Sequence, residues 1–198
     1  MGEGKEEPLR VDFDARVRLE FVGSKISSDA GLLAYRELDG KLGLTARTGR
    51  FLTDPRPGRN IQHELAPLLR QSVYSRLAGY PDTNDADRLA RDPVLRLVVS
   101  RRASGKRAAA RNTVGRFETD MLAEEANREG LATLNAAWVS SAIAHTNTKR
   151  LILDLDSSES PVHGQQEGAK YNGHYGNVCY HPLFCFNQFG DCEGAMLR

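Results

Sequence analysis

Cysteine is absent from the first 178 residues of this 198-residue chain, and the three that occur, Cys179, Cys185 and Cys192, crowd into its last twenty. An odd set at one end cannot staple the remainder, so a disulfide scaffold is excluded. Long apolar runs are missing as well. None approaches the roughly 18 residues of a membrane span, and the start, Met1-Gly-Glu-Gly-Lys-Glu-Glu-Pro8, has no apolar stretch of the signal-peptide kind, so the expectation is a cytoplasmic protein. Net charge is nearly absent, with 27 basic against 26 acidic side chains leaving +1. What is present, 40% hydrophobic and 27% charged residues, supplies a core and excludes a wholly disordered or collagen-like chain. The length fits one large or two small domains.

Residues 1–14 mix charge, Gly and Pro without period and read as a disordered leader. Arg16 to Phe21 alternates polar and apolar side chains, the pattern of a strand with one covered face. Ser27-Ser28-Asp29 offers N-caps for a helix with Leu32, Leu33, Tyr35, Leu38 and Leu42 at near-helical spacing. Residues 54–60, rich in Pro and Gly, form a loop. Ile61, Leu65, Leu68, Leu69, Val73 and Leu77 then make a helical stripe that Pro67 kinks or delays, ended by Gly79-Tyr80-Pro81. Further helices are expected from Asn84 through Leu89, from Pro93 over Val94 to Val99, and from a Thr113 cap over Val114, Phe117, Met121 and Leu122, continuing past Gly130 to Val139. Residues 100–110 read as an exposed loop. The period changes to two at Lys149: Leu151, Leu153 and Leu155 share one strand face and Asp154 and Asp156 the other. A polar connection over 157–176, a buried strand over Val178 to Phe186, a hairpin turn at Asn187 to Gly190 and a last strand from Cys192 to Leu197 complete the pattern.

Two features could carry chemistry. Between Pro93 and Phe117 stand Arg96, Arg101, Arg102, Lys106, Arg107, Arg111 and Arg116 with no acidic residue. Such a local field suits nucleic-acid phosphate, whose neutralisation releases counterions, and it equally suits a solvated loop. Asp154 and Asp156, two apart on a strand face, repel unless a cation or donors lie near; a divalent ion such as Mg2+ or Mn2+ is one solution, and a carboxylate facing solvent or capping the following turn is the other. His163, His174, His181 and the cysteines match no zinc-site spacing, and the glycines match no phosphate-cradling pattern.

Several linked motifs carry a resemblance: Leu153-Asp-Leu-Asp156, His163-Gly-Gln-Gln-Glu167-Gly168, Tyr171-Asn-Gly-His174-Tyr175 and Cys179-Tyr-His-Pro-Leu183, preceded by Gly79-Tyr-Pro-Asp-Thr-Asn-Asp85, Arg88-Leu-Ala-Arg-Asp-Pro93 and Thr113-Val-Gly-Arg-Phe-Glu118. In that order, over residues 16–198, they resemble DDE transposases of bacterial insertion sequences, nearest to the "thirteen-eighty" insertion-sequence family of the group-one DDE transposases. Pro81, Thr83 and Gly115 depart from the family's usual residues.

The resemblance implies an α+β fold: a mainly helical N-terminal domain over 15–148 that recognises element ends or holds a homodimer, then the first strands of a truncated RNase H-like domain over 149–198. It implies DNA with insertion-sequence terminal repeats as partner, no membrane, and Mg2+ or Mn2+ as cofactor in full-length relatives, with none bound tightly by this piece. The expected function is metal-dependent cleavage and strand transfer, in a truncated copy inactive by itself; the alternative is a non-enzymatic DNA-binding remnant or regulator. The implied catalytic and metal-holding residue is Asp156, followed as in the family by Ser, with Asp154 as runner-up. The DNA-binding residues expected from the basic stretch are Arg101, Arg102, Lys106, Arg107, Arg111 and Arg116.

Overall fold

Helices occupy the chain from Leu32 to Ile143, and from Leu153 onward the described residues are strands and turns. The structure is a computed structural model that describes residues 9–19, 29–57, 61–100 and 107–197. Two compact units divide the chain, Met1–Leu131 and Ala132–Arg198. The sequence-based division at 148/149 falls later, because the second half of the last helix counts with the strands.

The first unit opens with β1 (Leu9–Arg10), which pairs antiparallel with β2 (Arg18–Leu19). Residues 9–14, read from composition as part of a leader, are therefore built into a strand and turn; residues 1–8 lie outside the described residues. The N-cap candidates Ser27 and Ser28 also lie outside them, and Gly31 stands at the start of α1 (Leu32–Leu42). The expected stripe on α1 is corrected by burial. Leu32 and Leu33 are buried, but Tyr35 is 46% and Leu38 50% exposed, and the buried face continues through Arg36 and Asp39. These charges are tolerated because Asp39 is surrounded by donors. It accepts from the Thr45 backbone N–H at 2.8 Å, from the Thr45 hydroxyl and from the Tyr74 hydroxyl at 2.9 Å, with the Arg36 and Arg70 guanidiniums each at 3.6 Å. Burial, with Arg36 beside it, makes the Arg70 guanidinium easier to deprotonate than usual, and burial next to Asp39 pushes the Tyr74 phenol upward.

After a 3-10 turn at Thr45–Arg47 and a short α2 (Thr48–Phe51), α3 runs Leu65–Leu77. Pro67 marks a late start, not a kink. It sits in the first turn, where backbone N–H groups lack intrahelical partners in any case. At the other end Gly79 adopts φ 89°, and the N–H groups of Gly79 and Tyr80 return to the carbonyls of Arg76 and Ser75 at 3.0 and 2.9 Å. That left-handed residue, open to Gly without a Cβ penalty, closes the helix.

α4 (Ala86–Leu89) and α5 (Pro93–Val99) follow as expected, with Asp92 capping α5 by accepting from the Leu95 N–H at 2.8 Å and Pro93 at the first position. Leu32, Leu33, Tyr74, Leu89, Leu95, Val98 and Val99 form one buried cluster that joins α1, α3, α4 and α5. α6 (Arg111–Arg116) has Ala110, not Thr113, at its N-cap and widens into a π turn at Phe117–Met121. α7 spans Glu125–Ile143. Gly130 lies inside it because a Cβ there would stand 2.1 Å from the Phe51 carbonyl oxygen.

The second unit holds two three-stranded antiparallel sheets. One has the order β3 (Leu153–Ser157), β7 (Leu183–Asn187), β8 (Cys192–Met196); the other has β4 (Ser160–Pro161), β6 (Asn177–Tyr180), β5 (Lys170–Asn172). Two expectations change. The single strand over Val178 to Phe186 is two strands in different sheets, broken at His181-Pro182, where Pro182 has no N–H to give and its carbonyl instead accepts from Ser158 N at 3.0 Å. The polar connection of 157–176 contributes two short strands, β4 and β5. The hairpin turn stands as expected, held by the Asn187 side-chain oxygen, which accepts from the N–H groups of Phe189 and Asp191 at 2.9 and 3.1 Å.

Candidate nucleic-acid interface and acidic strand

Asp154 and Asp156 lie on β3, an edge strand paired only with β7, and face the same side as their partners Phe186 and Phe184. Both are exposed, and neither carboxylate has a hydrogen-bond or ion-pair partner among the described residues. Two carboxylates two residues apart on one strand are separated by about 7 Å of backbone, close enough for mutual repulsion. The face opposite is open too: Leu153 is 50% and Leu155 62% exposed, so the leucine side of this strand has no covering layer among the described residues.

The end of β3 is held from the other sheet. The Tyr175 hydroxyl donates to the Ser157 carbonyl at 3.1 Å and lies 3.3 Å from the Ser157 hydroxyl, while the His174 ring meets the Tyr175 ring edge-on at 4.9 Å. Tyr175 was legible in the sequence only as part of a motif. Its tie to the residue after Asp156 comes from pairing that no spacing reveals.

Hard oxygen donors on a rigid strand suit Mg2+ or Mn2+, which bind through one or two protein carboxylates and complete their shell with water and phosphate oxygens. Asp154 and Asp156 fit that role for one ion. No third His, Cys, Asp or Glu joins them among the described residues, so the set for a pair of ions is not assembled there.

Of the basic residues, Arg101, Arg102 and Lys106 lie outside the described residues. Arg107, Arg111 and Arg116 are exposed, while Arg96 is half-buried on α5. The segment returning from the basic stretch is not a free loop throughout. Ala109 is 1% exposed, and the buried Gln71 side chain forks onto it, donating to the Ala109 carbonyl at 2.6 Å and accepting from its N–H at 2.8 Å. The neighbouring Arg70 donates to the Val99 carbonyl at 3.2 Å, so two successive residues of α3 hold both sides of the basic stretch.

The upstream motifs read as fold-building chemistry. In Thr113 to Glu118, Phe117 is 1% exposed, and Glu118 accepts from Ser72 at 2.6 Å and from both terminal nitrogens of Arg76 at 2.7 and 3.0 Å. Partial burial raises the Glu118 carboxyl, but Arg76 and Ser72 outweigh it and leave the group below its ordinary value. In Gly79 to Asp85, Asp82 accepts from the backbone and side chain of Asn84 at 2.7 and 2.8 Å, and Arg88 lies over the Tyr80 ring at 5.3 Å.

No helix among the described residues is long and apolar enough to cross a membrane. A family model described as the transposase DDE domain, group 1, matches residues 9–198. No curated protein and no solved structure matches the chain.

Proposed function

Because the chain belongs to the group 1 family of DDE-domain transposases, we propose that it serves DNA transposition by supplying Asp156 as the first metal-holding carboxylate for the cleaving and joining of strands at insertion-sequence ends, chemistry that these 198 residues do not complete by themselves. The observation that carries this reading is the exposed, unpartnered pair Asp154 and Asp156 on one face of edge strand β3. When bound, divalent cations activate the attacking oxygen and stabilise the leaving one. This chain's part is to present carboxylates on a paired strand whose far end is tied by Tyr175, and to hold DNA phosphate through exposed arginines of the helical unit. The strands β3, β7 and β8 are read as the opening antiparallel strands of an RNase H-like sheet. DNA is the partner, terminal repeats the sequence sought, and a homodimer the assembly.

The test is a transposition assay in a full-length relative carrying this N-terminal sequence. Asp156→Asn abolishes strand transfer and Asp154→Asn does less damage, with gel-shift binding as the folding control. An amide keeps the shape and one oxygen but loses the charge that holds a divalent ion. If Asp154→Asn is dead and Asp156→Asn active, the metal ligand is Asp154; if both are active, the metal role of this strand is wrong.

A second reading, a non-enzymatic DNA-binding regulator of a transposase, is favoured by one observation: among the described residues no further acidic, His or Cys side chain completes the acidic pair.

A further inference from the structure

We infer that Arg91, Arg107 and Arg111 form one phosphate-contacting patch for duplex DNA, with Arg91 as a member that lies outside the basic stretch; this rests on the reading of the helical unit as a DNA binder. The placement comes from backbone pairing. The Ala108 N–H donates to the Ala90 carbonyl at 3.0 Å, and the Arg111 N–H donates to the Asp87 carboxylate at 3.1 Å. The first bond joins the peptide unit between residues 90 and 91 to that between 107 and 108. Standard backbone dimensions then hold the α-carbons of Arg91 and Arg107 within about 9 Å of each other. The Gln71 fork on Ala109 fixes the same segment from the buried side.

All three arginines are exposed, and none of their guanidinium groups forms an ion pair with a carboxylate among the described residues. The acids nearby are engaged elsewhere: Asp92 caps α5, Asp85 pairs with Arg88 at 3.2 Å, and Asp87 accepts from the Arg111 backbone. Two guanidinium groups on α-carbons this close outnumber the one carboxylate, Asp87, that the hydrogen bonds place beside Arg111, and a polyanion relieves their repulsion. Guanidinium groups are suited to phosphate oxygens, which they meet with two parallel N–H donors. Contacts to phosphate carry no sequence information, so a patch of this kind serves affinity and not sequence choice.

The experiment measures binding of this 198-residue chain to a labelled duplex of arbitrary sequence by fluorescence anisotropy across a salt series. Arg91→Gln lowers the slope of log K against log salt by about 0.9, Arg107→Gln does the same, and the double variant lowers it by about twice as much. Arg91→Lys keeps the slope, and Arg128→Gln, an exposed arginine elsewhere on the helical unit, leaves it unchanged. A wild-type slope for Arg91→Gln, in a chain where replacing Arg101, Arg102, Lys106 and Arg107 together by Ala flattens it, overturns the patch and leaves the DNA-binding reading intact. Loss of slope in Arg91→Lys as well assigns Arg91 a structural role and also overturns it. Absence of salt-dependent binding by the wild-type chain overturns both readings.

Discussion

A single backbone oxygen decides the identity of residue 130. Alanine is favoured over glycine in a helix interior by about 1 kcal/mol, so helix propensity alone makes Gly130→Ala stabilising. The Phe51 carbonyl 2.1 Å from the would-be Cβ reverses the sign. Overpacking typically costs about 1–3 kcal/mol, and here the obstacle is main chain next to Thr53, which Asn127 grips by accepting from its N–H at 2.7 Å and donating to its carbonyl at 3.0 Å. Gly130→Ala is expected to lower stability by up to about 2 kcal/mol net, read as a lower urea midpoint at unchanged m value. An unchanged or higher midpoint means that the 51–53 segment moves aside freely.

At the scale of elements, α6 and its π turn are attached to α3 through Glu118, whose carboxylate meets Ser72 and Arg76 one turn apart. The pairing has a pH signature whose sign follows from the lowered carboxyl. A group depressed in the folded state contributes stability that is fully present above its ordinary value of 4.5 and is lost as pH falls through the lower folded value. Thermal melts of the chain are therefore expected to fall on acidification below 4.5, and Glu118→Gln is expected to reduce that fall while lowering stability at neutral pH. An acid limb identical in the variant removes Glu118 from the account.

For the whole molecule, the acidic pair is the deciding quantity. Two ions activating nucleophile and leaving group need more oxygen ligands than one strand offers. The purified chain is thus expected neither to nick nor to join DNA carrying insertion-sequence ends in Mg2+ or Mn2+, while still binding it. Metal-dependent cleavage by nuclease-free protein, lost in Asp156→Asn, contradicts this and places further ligands within these 198 residues.

Much was legible from periodicity and breakers. The period of three to four located α3, Pro67 delayed that helix where Pro93 and the apolar run after it opened α5, and the change to period two at Lys149 marked the strands. These are local effects, set by backbone geometry that each short segment carries with it. Local pattern failed where a distant partner changed the meaning of a residue. Arg36 and Asp39 stand outside the expected stripe of α1 but are buried because Thr45, Tyr74 and Arg70 satisfy Asp39 and Asp39 pairs with Arg36, whereas Tyr35 and Leu38 stand within the stripe but face outward. In the same way the carboxylates of β3 were visible in the sequence, whereas the Tyr175 tie and the approach of Arg91 to Arg107 needed hydrogen bonds between segments distant in the chain. Sequence alone determined that helices precede strands along the chain, and which residue types can meet phosphate or metal. The tertiary structure decided which faces are buried and which charges stand together, because burial and electrostatic proximity belong to pairs of segments and not to either one.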